Sequence, residues 1–397
     1  IGGERPGPFV LGLGPIQATL KVMPTVSSCP DSVRAWLAAL LRGDEPGRMP
    51  DEAVLLATAG AEGVLALCHD RLRRSPAWTR YPETLRAALT RHAYQEVAVE
   101  MLRAAELRAV LEALAQERLA VLLLKGAALA YTLYPEPHLR DRCDADLLLP
   151  SRDEAERAWR VLQTLDYQRP DTLAGDLISH ELGCYKTGPG GLSHALDVHW
   201  RWSNAALFAE RFTFAELAAA AVPIPALGPD ARGLGWVHAL LLASAHRFAS
   251  LGGGLADRLI WLYDLHLLAQ RLSEEQWREA AALAGERGLC GPCLDGLGGA
   301  QQWFATELPD GLLSRLRAGA DREGFDPRQL RRRWRYEWLT FRALPSTAVR
   351  LRWLGQHLFP ATGYIRGQYD VRHPLRLPWY YGVRFARGIG KLFHQRR

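Results

Sequence analysis

The sequence has no apolar run long enough to cross a bilayer. Its longest apolar stretches, Leu119–Leu124 and Ala239–Ala245, fall far short of the roughly 20 residues that a spanning helix needs. Low-complexity tracts and repeats of fixed period are also missing, which excludes collagen-like and repeat architectures. The chain does not open on a charged-then-apolar signal with a small-residue cleavage site, so we expect a cytoplasmic protein.

Cysteine is scarce, and its six copies are scattered along 397 residues. This spacing argues against a disulfide framework and for a reducing compartment. Cys290-Gly-Pro-Cys293 has the spacing of a redox motif, but it follows a helical run instead of a strand. A second Cys pair or His pair that would complete a zinc site is missing. We therefore expect neither a redox nor a zinc centre there.

Lysine is scarce in the whole chain, and acidic residues are scarce in its last 70 residues. Only four lysines occur, so the other 45 basic residues are arginines. Residues 328–397 hold 16 basic residues against two acidic ones, a balance of +14 beside −8 for the rest of the chain. Such a tail predicts an anionic partner, either nucleic acid, a membrane surface or a phosphorylated substrate, or else a segment that packs on the acidic body.

Hydrophobic residues make up 48% of the chain, enough for two or three packed units. We expect the natural chain to begin at Met23, because the Gly- and Pro-rich segment before it lacks an initiator Met. Changes of periodicity divide the chain into an irregular segment, a helical domain, a core with strands, a second helical domain and a basic aromatic segment. Their predicted ranges are 1–30, 31–116, 117–204, 205–327 and 328–397.

The core is predicted to be a small mixed sheet, which makes the fold class α+β with helical units on either side. Leu119–Leu124 is typical of a buried strand, Lys125 and Gly126 lead into a helix, and Asp144–Pro150 begins with period-two alternation. Two further strand-like runs, Ile178–Thr187 and Leu192–Trp200, are joined by a Gly- and Pro-rich hairpin signal. Beyond Asn204 the pattern is helical again.

Three carboxylates are the candidate catalytic and metal-binding residues. Side chains at i and i+2 of a strand share a face, so Asp144 and Asp146 project together. Asp197 and His199 share a face of the hairpin strand by the same rule. Oxygen ligands suit Mg²⁺, for which Mn²⁺ substitutes, and a third carboxylate would complete a site for one or two ions.

Candidate nucleotide-binding residues surround these acids. Gly126 and Ala127 open a helix whose free N–H groups form an anion site, and Lys125 just before it adds a point charge. Arg140 and Arg142 precede the acidic pair and are candidates to grip phosphates, as is His199. Each piece has an ordinary explanation, since Asp-x-Asp at a strand end and Lys-Gly after a strand are common in turns. Their combination favours an active site.

The run LLLKGAALAYTLYPEPHLRDRCDADLLLP, with ALDVHWRW and HRFASLGGGLADRLIWLYDLHLLAQ, resembles a bacterial nucleotidyltransferase family. That family is an uncharacterised branch of the DNA polymerase beta-like superfamily. The resemblance is specific over residues 121–202 and looser outside them. It implies that Asp144 and Asp146 are paired metal ligands, Asp197 the third acid, and Gly126 and Ala127 the triphosphate holders.

Two positions depart from the superfamily pattern. Ala127 stands where a Ser is usual, and Cys143 stands where a Gly commonly precedes the acidic pair. Neither change removes a metal ligand. Replacing Asp144 or Asp146 by Asn is expected to abolish turnover and to leave the fold intact or slightly more stable.

The sequence thus predicts a Mg²⁺-dependent nucleotidyltransferase that moves an NMP from an NTP, ATP first, to a hydroxyl or phosphate. A small natural product or peptide is the favoured acceptor, and a tRNA end comes second. The alternatives are a nucleic-acid-binding protein with a vestigial core and, less favoured, a membrane-surface protein anchored by Trp379–Arg387. The tail is expected to pack on the body as far as Tyr369 and to be free from about Leu375.

Overall fold

The computed structural model describes residues 31–170, 177, 179–323, 333–344, 346–360, 362–369, 371 and 373–384. The expectations for residues 1–30, including a start at Met23, lie outside these ranges. The helices are α1 (Asp31–Arg42), α2 (Glu52–Ala61), α3 (Leu65–Arg74), α4 (Glu83–Gln116), α5 (Lys125–Thr132), α6 (Arg152–Thr164), α7 (Phe214–Ala219), α8 (Trp236–Gly252), α9 (Leu259–Ala269), α10 (Glu274–Glu286), α11 (Cys290–Phe304), α12 (Leu312–Glu323), α13 (Arg333–Ala343), α14 (Thr347–Leu358) and α15 (Thr362–Tyr369).

One mixed sheet lies between these helices. Its strands are β1 (Leu122–Leu124), β2 (Asp144–Leu148), β3 (Glu181–Thr187), β4 (Ser193–His199), β5 (Val222–Pro223) and β6 (Arg232–Gly233). The order across the sheet is β3-β4-β2-β1-β6-β5. β2 runs parallel to β4 and antiparallel to β1, and β3 and β4 form the hairpin that the sequence predicts. The predicted α+β class is confirmed.

The back of the sheet packs on two helices. Apolar residues of α4 and α6 form one cluster with the alternate residues of β2 and β4, among them Ala145, Leu147, Leu196 and Val198. This alternation fixes the register, because a slip by one residue would bury the acidic positions in apolar contacts. Ser151 caps α6 by accepting a hydrogen bond from the Glu154 N–H at 3.2 Å. The acids lie on the opposite face of the sheet, away from this cluster.

The N-terminal and C-terminal helices share a second hydrophobic cluster. It joins α1, α2 and α3 to α8–α12, and it also includes Leu122, Leu124 and Leu148 of the sheet. Both predicted helical domains contribute residues to this one cluster. Their predicted limits, 31–116 and 205–327, remain predictions. None of the helices in the described ranges combines the length and apolarity that crossing a bilayer requires.

Two short elements differ from the sequence expectation. The first strand begins at Leu122, because the chain leaves α4 through a turn at Arg118, whose φ is +56°. β5 and β6, of two residues each, lie in the region predicted to be helical throughout. Such short strands carry no period of their own and form only because β6 pairs with Leu123 of β1.

The C-terminal segment is helical and attached to the body. Trp353 of α14 is 7% exposed, and Leu339 of α13 packs against the large hydrophobic cluster. The expectation of a free chain from Leu375 is wrong for residues 377–384, which are helical. The Tyr381 hydroxyl donates to the Pro360 carbonyl at 2.6 Å and holds this part against the end of α14. Residues 385–397 lie outside the described ranges.

Candidate active site

The three predicted acids lie on the face of β2 and β4 that is turned away from α4 and α6. The parallel register places Asp146 directly opposite Asp197, and Asp144 lies two residues before Asp146 on the same face. Asp146 is buried, whereas Asp144 and Asp197 are partly exposed. The structure therefore brings together the three side chains that alternation selected from two distant segments.

Lys125 reaches the same cluster from the neighbouring strand. β1 ends at Leu124, which pairs with Asp146, and Lys125 begins α5 with a φ of +48°. A non-glycine residue in this left-handed region costs on the order of 1 kcal/mol, so the surroundings must hold it there. Its ammonium group donates to Asp146 Oδ1 at 2.5 Å.

His199 is enclosed by two carboxylates. Its Nε2 lies 2.9 Å from Asp146 Oδ1, and its Nδ1 lies 3.4 Å from the nearer oxygen of Glu181. The ring is fully buried. Glu181 reaches this place because β3 pairs it with His199 across the hairpin. It was not among the predicted site residues, although the strand register of the hairpin could have indicated it.

The electrostatics separate Asp146 from the other two acids. Burial alone would raise the pKa of Asp146, but Lys125 and His199 outweigh it and hold that pKa below the ordinary carboxyl range. Burial and the charge of Asp146 raise the pKa of Asp144. Burial and the charges of Glu181 and Asp144 raise the pKa of Asp197 well above its usual value. The cluster thus carries more negative charge than Lys125 compensates.

A cation could satisfy that excess. One ligand atom each from Asp146, Asp197 and His199 lie within 4.8 Å of one another. Asp144 shares their face, so the site offers mainly carboxylate oxygens. Oxygen donors in this number suit Mg²⁺ or Mn²⁺ better than a soft metal.

Comparison of the sequence with known families identifies the family of the chain. The family described as "Uncharacterised nucleotidyltransferase" matches residues 49–305, which include all six strands and the acidic face. The chain belongs to this family. The enzyme is therefore a nucleotidyltransferase, as the resemblance implied. No curated protein matches it.

The start of α5 lies beside the acids of the nucleotidyltransferase. Gly126 and Ala127 form its first turn, where backbone N–H groups lack partners within the helix. A side chain on Gly126 would come 3.6 Å from the Arg140 guanidinium, which is an ordinary contact. The absence of a side chain at Gly126 thus leaves room beside the helix start for a ligand atom.

The two predicted phosphate-binding arginines are engaged in buried ion pairs. Arg140 donates to Asp264 from Nε at 2.9 Å and from Nη2 at 2.7 Å, and the Tyr134 hydroxyl donates to the same carboxylate. Arg142 donates to Glu100 at 2.7 Å. These pairs fix the loop before β2 to α9 and α4. Phosphate binding by either arginine remains a prediction.

His246 of α8 is a further neighbour of the site. Burial and, next in size, the charge of Lys125 lower its pKa to about 3. Its ring lies edge-on to Trp261 at 5.9 Å. His246 was not among the predicted site residues.

The Cys-Gly-Pro-Cys motif lies away from the acids at the start of α11. Both thiols are buried, and burial raises the pKa of each to about 12. A thiol with so high a pKa is a poor nucleophile at neutral pH. The helical setting agrees with the expectation that the motif is not a redox centre.

Proposed function

We propose that this nucleotidyltransferase moves an NMP from an NTP, with ATP as first choice, to a hydroxyl or phosphate of an acceptor. Mg²⁺ would be held by Asp144, Asp146 and Asp197, and Mn²⁺ would substitute. The observation that carries the proposal is the register that places Asp146 opposite Asp197 in a chain of this family. Their carboxylates, with Asp144 beside them, offer the oxygen ligands that a Mg²⁺–triphosphate complex requires.

The proposed metal neutralises charge on the phosphates and on the carboxylates when it is bound. The electrostatics of Asp144 and Asp197 support this, because burial and the neighbouring carboxylates raise the pKa of both acids and so oppose their ionised forms.

Residues of the chain are proposed to bind the triphosphate and to accept the proton of the acceptor. The N–H groups at Gly126 and Ala127 and the ammonium of Lys125 are proposed to bind the triphosphate. The acceptor oxygen bonds to the α-phosphorus, the bond from that phosphorus to the bridging oxygen breaks, and pyrophosphate leaves. Asp197 is proposed to take the acceptor's proton through the carboxylate oxygen that does not bind Mg²⁺.

We propose that His199 positions Asp146, in place of the direct nucleotide contact that the sequence predicted. Its ring is fully buried, and both of its nitrogens face carboxylates, Asp146 on one side and Glu181 on the other. We assign it as a positioning residue that orients Asp146. Orientation of a ligand through a hydrogen bond from behind is typical of metal sites.

The preference for one acceptor class rests on the limited exposure of the acids. Asp144 and Asp197 are only partly exposed, which favours a small acceptor group over a bulky duplex. A hydroxyl or phosphate on a small natural product or peptide is therefore the first choice, and a tRNA end is the second.

The test incubates the enzyme with each α-³²P-labelled NTP, Mg²⁺ and fractionated small molecules, peptides or tRNA. Wild-type protein should transfer label and release pyrophosphate, and Asp144→Asn should not. Asp153→Asn, which changes an exposed acid of α6, is the matched control and should behave as wild type. If no fraction accepts label with any NTP while the tail binds RNA, the non-catalytic alternative replaces this proposal.

A further inference from the structure

The outer face of α14 is apolar although it contacts solvent. Leu351, Leu354 and Leu358 are 64%, 37% and 40% exposed, and their spacing of three and four residues places them on one side of the helix. Trp353, on the other side, is buried against the protein. The helix is therefore anchored by one face and presents leucines on the other.

Further large hydrophobic residues are exposed after the end of the helix. Phe359 is 71% exposed, Leu375 86% and Trp379 72%. The Tyr381 ring lies 6.2 Å from the Phe359 ring, and Arg384 donates to the His357 carbonyl, so residues 377–384 lie against the end of α14. We name these six exposed residues the C-terminal apolar surface: Leu351, Leu354, Leu358, Phe359, Leu375 and Trp379.

This surface is not an ordinary scatter of exposed side chains. Single exposed hydrophobic residues are common, but a cluster of large ones marks a surface that meets another apolar phase. Among the other large exposed hydrophobic residues of the described ranges, Tyr94, Met101 and Leu102 are spread along the 34-residue α4, and Val54, Leu255 and Trp338 are each single on their helix or loop.

The segment that carries the surface is strongly basic in sequence, since residues 328–397 carry 16 basic residues and two acidic ones. On α14, Arg352 is exposed and lies about 100° from Leu351, by the geometry of a helix. Arg350, on the other side of Leu351, is partly buried and donates from Nη2 to the Arg342 carbonyl at 3.1 Å. Arg342 and Arg376 are exposed. Long arginine side chains beside an apolar face can keep their charged ends at the level of lipid headgroups.

We propose that the C-terminal apolar surface and its arginines bind the surface of a bilayer that contains anionic phospholipid. An in-plane helix with leucines inward and arginines at the rim is the arrangement that binds such an interface. Nucleic acid matches the charge, and Phe359 and Trp379 offer rings for bases to stack on, but the four leucines of the surface gain little from bases. A second copy matches the leucines but brings the same positive charge against itself.

The surface lies on the β3 side of the enzyme. Gln356 of α14 accepts a hydrogen bond from the Leu177 N–H at 3.2 Å, four residues before β3 begins. Bilayer binding would therefore hold the edge of the active-site sheet beside the membrane. The inference itself does not depend on the proposed reaction, since it concerns residues outside the matched range 49–305.

The experiment measures co-sedimentation of the full chain with vesicles of phosphatidylcholine alone or mixed with phosphatidylglycerol. Wild type should pellet with the mixed vesicles and remain largely in solution with phosphatidylcholine, and added salt should weaken the binding. The combined Leu351→Ser, Leu354→Ser and Leu358→Ser variant should bind at least about tenfold more weakly. The variant should fold normally, because all three positions are exposed.

The matched control is the Met101→Ser, Leu102→Ser variant, whose positions on α4 are 69% and 41% exposed. It should bind vesicles as wild type does. Equal pelleting of the leucine variant and wild type would overturn the proposal. Equal binding of wild type to vesicles with and without phosphatidylglycerol would overturn it as well. Binding to RNA but not to vesicles would assign the surface to nucleic acid instead. A wild-type dimer that the leucine variant dissociates, without vesicle binding, would assign it to a second copy.

Discussion

The two acids of the Asp-x-Asp pair should respond oppositely when each is replaced by Asn. Asp146 is stabilised in its charged form by Lys125 at 2.5 Å and His199 at 2.9 Å. Asp144 has a raised pKa because burial and the charge of Asp146 oppose its ionisation. The sequence alone predicts one outcome for both variants, an intact or slightly more stable fold, whereas the structure distinguishes them.

The magnitudes follow from these contacts. Asp146→Asn leaves the buried Lys125 ammonium without its partner and weakens the His199 contact, which should cost about 2–4 kcal/mol of unfolding free energy at pH 8. Asp144→Asn removes a charge whose ionisation is opposed. Asp144→Asn should therefore raise the unfolding free energy at pH 8, because Asn carries no charge to be buried. Both variants should lose nucleotidyl transfer.

The pH dependence gives a second check with a definite sign. The pKa of Asp146 is lowered on folding, so its stabilisation is complete above the ordinary value of 3.8 and is lost as pH falls further. The pKa of Asp144 is raised, so the gain from Asn appears only as pH rises above that ordinary value. The deficit of Asp146→Asn should therefore persist from pH 8 to about pH 4.

Urea unfolding in EDTA, followed by circular dichroism, measures both free energies without a metal. Asp153→Asn serves as control, because that acid is exposed on α6, and it should change stability little. An Asp146→Asn protein as stable as Asp144→Asn would refute the assignment of Lys125 and His199 as partners of Asp146.

Lys125→Ala should raise the Kd of NTP at least about tenfold, and Lys125→Arg should recover part of it; unchanged Kd values in both would contradict a phosphate contact. Mg²⁺ should raise the Tm of wild type but not of Asp197→Asn, and more at pH 8 than at pH 5.5, because the raised pKa of Asp197 lets protons compete. A Tm shift independent of pH would argue against these ligands. The lowered pKa of His246, about 3, should cost wild type about 3 kcal/mol between pH 6.5 and pH 4, and His246→Gln should flatten that loss in urea titrations; equal slopes would place His246 in contact with solvent.

The acidic face was predictable because the information for it is local. Asp144 and Asp146 alternate with Ala145 and Leu147, and Asp197 alternates with Leu196 and Val198 in the same way. A period of two residues states which side chains share a face. The pairing of β2 with β4 is not local, but both strands bury their apolar residues in one cluster, which leaves the acids together.

The partners of the arginines were not predictable, because they come from distant parts of the chain. Arg140 pairs with Asp264, 124 residues later, and Arg142 pairs with Glu100, 42 residues earlier. A guanidinium binds a carboxylate or a phosphate with similar geometry, so the sequence around it does not select between them. In the described structure both arginines are below 10% exposed and bind carboxylates.

Lys125 combines a local signal with one that only packing reveals. Its position between a buried strand and the start of a helix predicted a phosphate contact. The structure adds a hydrogen bond from its ammonium group to Asp146. The two are compatible, because an ammonium has three N–H donors and the described contact uses one of them. Arg in its place would have to direct a longer, planar group from the same left-handed backbone. That limit explains why a chain with 45 arginines has a lysine at this position.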